Sequence, residues 1–294
     1  MTLAGRVTEL YRFPVKSMAG EPLTSADVSW HGLAGDRRWA FIQAGHERSG
    51  FPWLTIREQA VMAHYRPRFT DPDRPNGSLT LVRTPAGAEL DVADAALAAE
   101  LGPGVRVIKQ DRGVFDTMPL SLLSRQTLAC LGKRIGAELT ALRFRPNIVV
   151  DIPGQEYPEE SWVGRVVRIG GLRMRVDQRD NRCVMITIDP VTLDRNPEVL
   201  RVVAQERDNQ FGVYGWSWRP AGSWSATRSR SSPPDRRAGP PAACGPARPA
   251  TGRRRPAAPA GIPGGRRPGA GPAGAPRSPG CRPARRPAGP ARPG

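Results

Sequence analysis

Residues 1–215 predict a mostly β protein with a few helices (α+β), on three observations. Short runs of β-branched and aromatic residues recur at near-regular spacing, Gly and Pro punctuate them, and only two stretches carry a helical pattern. Many short strands so spaced argue for a barrel or a sandwich. The remaining 79 residues of the 294 follow another rule.

In chain order, Arg6 to Phe13 reads as a strand that ends in the turn Pro14-Val15-Lys16-Ser17, since proline cannot extend a central strand. His31-Gly32-Leu33 and Ala34-Gly35-Asp36 read as turns, and Arg38 to Gln43 alternates as a strand. Trp53 to Glu58 reads as a further short strand. Ser78 to Thr84 and Ala88 to Val92 flank Pro85-Ala86-Gly87 as a hairpin, and Val105 to Gln110 is another strand. Ser124 is placed to cap a helix that buries Leu128, Leu131 and Ile135, with Cys130 off that face as a packing residue. Ile148 to Ile152 is an apolar strand entered through Arg143, Arg145, Pro146 and Asn147. Gly170-Gly171 joins Val166–Ile169 to Leu172–Val176 in a hairpin. Asn196-Pro197 opens a helix to about Gln205, and Phe211 to Gly215 begins a final strand.

Charge separates the chain into two populations. Residues 1–215 carry 28 Lys+Arg against 26 Asp+Glu, a net +2, whereas residues 216–294 carry 16 Arg against one Asp, a net +15. In this tail Ile262 is the only Leu, Ile, Val, Phe or Met, so no core can form, and disorder is expected. An Arg-rich tail raises nucleic-acid binding. A different cause accounts for more. The abundant tail residues all have GC-rich codons, and moving the frame back one base turns Trp216-Ser217-Trp218-Arg219 into an apolar, strand-like run. The tail is therefore read as a frameshift product, with the last strand missing or altered and no specific nucleic acid as partner. No signal peptide or membrane-length apolar run is present, which leads us to expect a cytoplasmic protein with no membrane partner. The four cysteines form no CxxC, so neither a disulfide framework nor a zinc clip is expected.

The stretch Asp177 to Pro190, DQRDNRCVMITIDP, carries the sharpest chemistry. Cys183 follows Asn181 and Arg182 and opens a β-branched run, which places it at the mouth of a strand. An accessible thiolate beside a cation would suit copper(I), zinc, iron–sulfur or a high-valent oxo-metal centre; an inert core cysteine is the alternative. Ligand-type residues outside the periodic core are Lys16, Ser17, Arg37, Thr117, Arg145, Asn147, Asn181, Arg182 and Cys183. Together they suit a bulky anionic ligand carrying a phosphate, held by charge-assisted hydrogen bonds, with a soft metal on the thiolate.

PVKS, GDRRW, FRPNIVV, NRCVMITIDP and FGVYG, in this order, resemble the MOSC-domain proteins, and among them the amidoxime-reducing component and its bacterial counterparts. The resemblance covers essentially all of residues 1–215. It implies an N-terminal β-barrel domain over 1–112, a MOSC domain over 113–215, and molybdenum cofactor (Mo-molybdopterin) bound between them. By the same resemblance Cys183 is the catalytic thiolate on molybdenum. Lys16, Ser17, Arg37, Arg145, Asn147 and Arg182 hold the pterin and its phosphate, and Thr117 and Asn181 are further contacts. Pyridoxal phosphate binding is also associated with it. The implied reaction is two-electron reduction of a small N-hydroxylated substrate, with Asp177 and Asp180 as candidate proton relays. No closely spaced iron–sulfur cysteines are present, so electrons are expected from a separate reductase or ferredoxin-type protein. A cofactor carrier or sulfur-transfer protein without turnover is the alternative.

Overall fold

In the computed structural model, residues 5–154, 156–218 and 224–227 are described. All of them belong to one unit, Met1–Ala247, while the second unit, Arg248–Gly294, lies outside the described residues.

The first half runs β1 (Arg6–Arg12), β2 (Glu21–Leu23), β3 (Ser25–Ser29), β4 (Gly32–Leu33) and β5 (Trp39–Ile42). β6 (Arg66–Phe69), β7 (Thr80–Arg83), β8 (Glu89–Asp91), helix α1 (Ala95–Leu101) and β9 (Arg106–Lys109) follow. The second half runs β10 (Leu120–Ser124), α2 (Arg125–Ile135), β11 (Ile148–Asp151), β12 (Val166–Ile169) and β13 (Leu172–Asn181). It closes with α3 (Pro197–Arg207), β14 (Gln210–Ser217) and β15 (Trp224–Thr227).

A seven-stranded sheet in the order β12-β13-β14-β10-β11-β1-β2 joins the two halves. β1 pairs antiparallel with β11, through a bulge between Val7 and Glu9, and β10 lies parallel to β11. Alternation along β10 divides its side chains between two environments. Leu120 and Leu122 enter a core with Leu10, Ile148, Met174, Val176 and Val213, while Leu123 packs with Leu131, Phe144, Val199, Val203 and Phe211 under the helices. The N-terminal half adds the sheets β5-β9 and β6-β7-β8 around a separate core that includes Phe41, Met62, Val82 and Leu97.

Local chemistry accounts for the helix ends. The Ser124 hydroxyl accepts from the Thr127 amide at 3.0 Å, and Gly136, at φ +67°, closes α2. Cys130 on this helix is buried. Asn196 caps α3 through the Glu198 amide at 3.0 Å. α1 was not anticipated, although Asp94 caps it at 2.8 Å and its residues are strong helix formers.

Two expectations are corrected. Trp53 to Glu58 is not a strand: Trp53 makes one bridge to Ile42, and the chain then turns because the Glu58 carboxylate accepts from the Thr55 amide and hydroxyl at 3.0 and 2.6 Å. Cys183 does not open a strand. β13 ends at Asn181, and Val184–Thr187 form a 3-10 turn with the Ile186 amide on the Cys183 carbonyl at 3.2 Å. Past Gly215, β14 continues through Ser217, and β15 pairs antiparallel with β3. β14 is also no exposed edge, being flanked by β13 and β10. The remainder of the expected disordered, frameshifted tail lies outside the described residues.

Gly215 sits where β14 crosses closely against β13. A Cβ there would lie 1.9 Å from the Arg175 carbonyl oxygen. Gly215→Ala is expected to destabilise the protein by about 1–3 kcal/mol, the usual cost of overpacking. A urea midpoint unchanged from wild type would contradict this packing.

Candidate functional site

A pocket opens where the turns after β1 and β4 meet the entries to β10 and β11 and the middle of β14. Lys16, Ser17, Arg37, Arg145, Asn147 and Arg182 all line it, six of the residues expected from the sequence. Thr55, Arg57, Phe115, Asp116, Met118, Ser121, Phe144, Met185 and Tyr214 complete the lining.

Backbone geometry aims the first group. Ser17, Arg37 and Arg145 are left-handed at φ 69°, 50° and 54°. Each such non-glycine conformation costs on the order of 1–3 kcal/mol and needs surrounding contacts to hold it. The contacts are present. Lys16 is fixed by its amide on the Trp39 carbonyl at 2.8 Å, and the Arg37 amide donates to the Phe13 carbonyl at 2.6 Å. Phe13 lies under both arginines, with guanidinium carbons 4.7 Å (Arg37) and 4.2 Å (Arg145) from its ring centre. Arg37 also donates to the Arg145 carbonyl at 3.0 Å and pairs with the buried Asp36.

Asn147 serves as a joint between strands. Its side chain donates to the Tyr11 carbonyl and Asp36 at 3.2 and 3.1 Å and accepts from the Ser121 amide at 3.2 Å. Arg182 is likewise engaged in protein contacts. Its guanidinium donates to the Phe211 and Phe144 carbonyls at 2.7 and 2.9 Å and lies 2.7 Å from Asp180. Arg182 is thus a buried anchor immediately before Cys183.

Charge dominates the lining. Five cations face one carboxylate, Asp116, which accepts from Lys16 at 2.5 Å and lies 3.9 Å from Arg57. Burial pushes Lys16 down, against the pull of Asp116 and with the help of Arg37 and Arg145. For Asp116, burial opposes the charge, but Lys16, Arg57 and Arg37 outweigh it and hold the carboxyl below its usual range. Burial, with Arg37 adding to it, lowers the Arg145 guanidinium despite Asp36 and Asp116. Among the described residues, Arg145 Nη2, Arg57 Nε and Arg182 Nη2 are buried without hydrogen-bond partners, though Arg182 Nη2 lies 2.7 Å from Asp180. Unpaired buried donors are costly, so those of Arg145 and Arg57 are available to an acceptor that enters the pocket.

Behind this wall Asp180 is buried, and its carboxylate accepts from the Ser121 hydroxyl at 3.3 Å. Burial raises it to about 6, against Arg182 and the hydrogen bonds from Ser121 and Tyr214. Burial and Asp180 raise the Tyr214 phenol in turn. Asp177, the other candidate relay, instead pairs with Arg175 at 2.7 Å.

Three expected residues stand outside the lining. Thr117 is exposed, although its neighbours Asp116 and Met118 line the pocket. Asn181 is exposed and accepts from Asn209 at 3.1 Å. Cys183, a half-buried free thiol, lies between the lining residues Arg182 and Met185 in sequence. Asp116, Ser121 and Tyr214 were missed; a tyrosine within the apolar run FGVYG was the one available signal.

The description "MOSC N-terminal beta barrel domain" matches residues 4–112, and "MOSC domain" matches residues 109–222. Mitochondrial amidoxime-reducing component 1 of Homo sapiens is 26% identical, over 64% of this chain and 67% of its own. A molybdenum cofactor sulfurase of Drosophila mojavensis is 25% identical over 72% of this chain, which spans only 32% of the sulfurase's length. Among solved structures, the YUAD protein of Bacillus subtilis aligns with a TM-score of 0.41 and 11% identity, covering 76% of this chain and 91% of its own. With both domain descriptions matched in tandem over one continuous unit, the chain belongs to the MOSC-domain proteins.

Proposed function

We propose that this protein is a molybdenum cofactor-binding oxidoreductase that reduces N-hydroxylated compounds. The observation that supports this best is the cationic pocket with unpartnered buried donors, with the free, half-buried Cys183 falling in sequence between its lining residues Arg182 and Met185. These residues fit a phosphate-bearing organic anion with a soft metal: Arg145, Arg57 and Arg37 would meet the anion, and Cys183 would be the thiolate ligand. A pyridoxal phosphate would call on a lysine amine, and Lys16 is tied to Asp116 and the Val114 carbonyl instead.

When bound, the molybdenum cofactor would supply the two-electron couple. The overall change takes an N-hydroxy compound, two electrons and two protons to the reduced compound and water. The chain's own residues would bind and deliver protons. Lys16, Arg37 and Arg145 neutralise and orient the anion, and Phe115 and Met118 exclude water along one wall. Asp180, raised to about 6 by burial, would hold or release a proton at its carboxylate, which accepts a hydrogen bond from the neutral Ser121 hydroxyl. Tyr214 stays protonated and serves as a fixed donor. Electrons would come from a separate reductase or ferredoxin-type protein, and the cytoplasm is the proposed setting. Among the described residues no helix is long and apolar enough to cross a membrane.

The sulfurase relative supports a second reading, a cofactor carrier or sulfur-transfer protein without turnover. Steady-state reduction of an amidoxime by metal-loaded protein, with a chemical electron donor, separates the two. Turnover that disappears in Cys183→Ala is expected, and a fully loaded protein without turnover would favour the carrier.

Arg145→Ala removes a donor that has no protein partner to lose at Nη2. It should weaken retention of the cofactor by roughly ten- to a hundredfold, the worth of a charge-assisted hydrogen bond. Molybdenum retained through gel filtration at the wild-type level would count against the assigned role.

A further inference from the structure

The sequence marks Arg143 as costly to bury, and the pocket does not use it. Arg143 is 7% exposed, and its guanidinium turns toward the cysteine segment. Nη1 donates to the Ile186 and Thr187 carbonyls at 3.3 and 3.0 Å, and Nη2 pairs with Asp189 at 2.6 Å. Those two carbonyls end the 3-10 turn that begins at Cys183, where a helix end otherwise leaves acceptors unpaired. Asp189 is itself set by the Val191 and Thr192 amides at 2.8 and 3.1 Å. Arg143 belongs to the 3-10 turn Ala141–Phe144, whose last carbonyl receives Arg182. Cys183 thus lies between two buried arginine anchors, both tied to one short turn that leads directly into the pocket residue Arg145.

We infer that Arg143, through its pair with Asp189, is a positioning residue that holds the Cys183 segment in the conformation presenting the thiol beside the pocket. This rests on the reading of Cys183 as the thiolate offered to the cofactor. The packing of Val184 to Thr187 alone does not explain the clamp, because a buried guanidinium carries a desolvation cost that apolar residues of similar volume would avoid. Burial indeed lowers Arg143 despite the Asp189 partnership.

The test uses the rate at which iodoacetamide alkylates Cys183 in cofactor-free full-length protein, followed at that site by peptide mass spectrometry across pH 6–10. Arg143→Ala, Asp189→Asn and Arg143→Lys are compared with wild type, with thermal midpoints measured in parallel. Loss of the clamp is expected to raise the Cys183 rate about tenfold in Arg143→Ala and severalfold in Asp189→Asn, with partial recovery in Arg143→Lys. Asp189 is partly exposed, so its variant keeps the test open if Arg143→Ala does not fold. Rates within twofold of wild type in a folded Asp189→Asn would overturn the inference. So would equal changes at Cys183 and at an unrelated cysteine introduced on the surface, which would mark general loosening. Absence of molybdenum from wild-type protein, measured separately, would defeat the cofactor reading while leaving the thiol result standing.

Discussion

Arg182 is buried, and its guanidinium reaches three elements at once: Asp180 on β13, the Phe211 carbonyl on β14 and the Phe144 carbonyl before β11. Burying such a charge costs several kcal/mol unless it is paired, and Asp180 with the two carbonyls supplies that pairing although Nη2 makes no hydrogen bond among the described residues, so these three elements are constrained to one mutual arrangement. The cysteine turn, the Ser121–Asp180–Tyr214 cluster and the entry to β11 all hang on it. Exchange for lysine would preserve charge but not the planar fork that spans carbonyls on separate strands.

The opposite wall depends on a different economy. Phe13 accepts two guanidinium groups over its ring, and Asp36 pairs with Arg37 while holding the Phe13 amide at 2.7 Å. That arrangement keeps Arg37 and Arg145 together although they repel, and it sustains three left-handed non-glycine residues at one pocket. Strain and like-charge crowding both oppose folding. Their concentration where donors remain unpaired supports the proposed anion site.

Most strands were legible because period-two alternation and Gly or Pro turns act locally. The Gly170-Gly171 hairpin and the Ser124 cap need nothing beyond their own segments. Features settled by distant partners were not legible. The run VMITI after Cys183 has the β-branched look of a strand, but Arg143 and the Cys183 carbonyl draw it into a 3-10 turn. Trp53 to Glu58 lost its strand to a carboxylate three residues on. Arg182 lines the pocket, yet its contacts are with Asp180 and two carbonyls, which adjacency to Cys183 in the sequence could not disclose. Thr117 on its loop and Asn181 at the end of β13 carried suitable side chains but are exposed, while Asp116 and Ser121 gave no periodic signal.

The central claim is that the cationic pocket and the Cys183 thiol together hold a molybdenum-bearing cofactor. Elemental mass spectrometry of wild type and Cys183→Ala, both purified from a host that makes the cofactor, tests it most directly. The account predicts near-stoichiometric molybdenum in wild type and a clear loss in the variant. A folded, soluble wild type without molybdenum would contradict it.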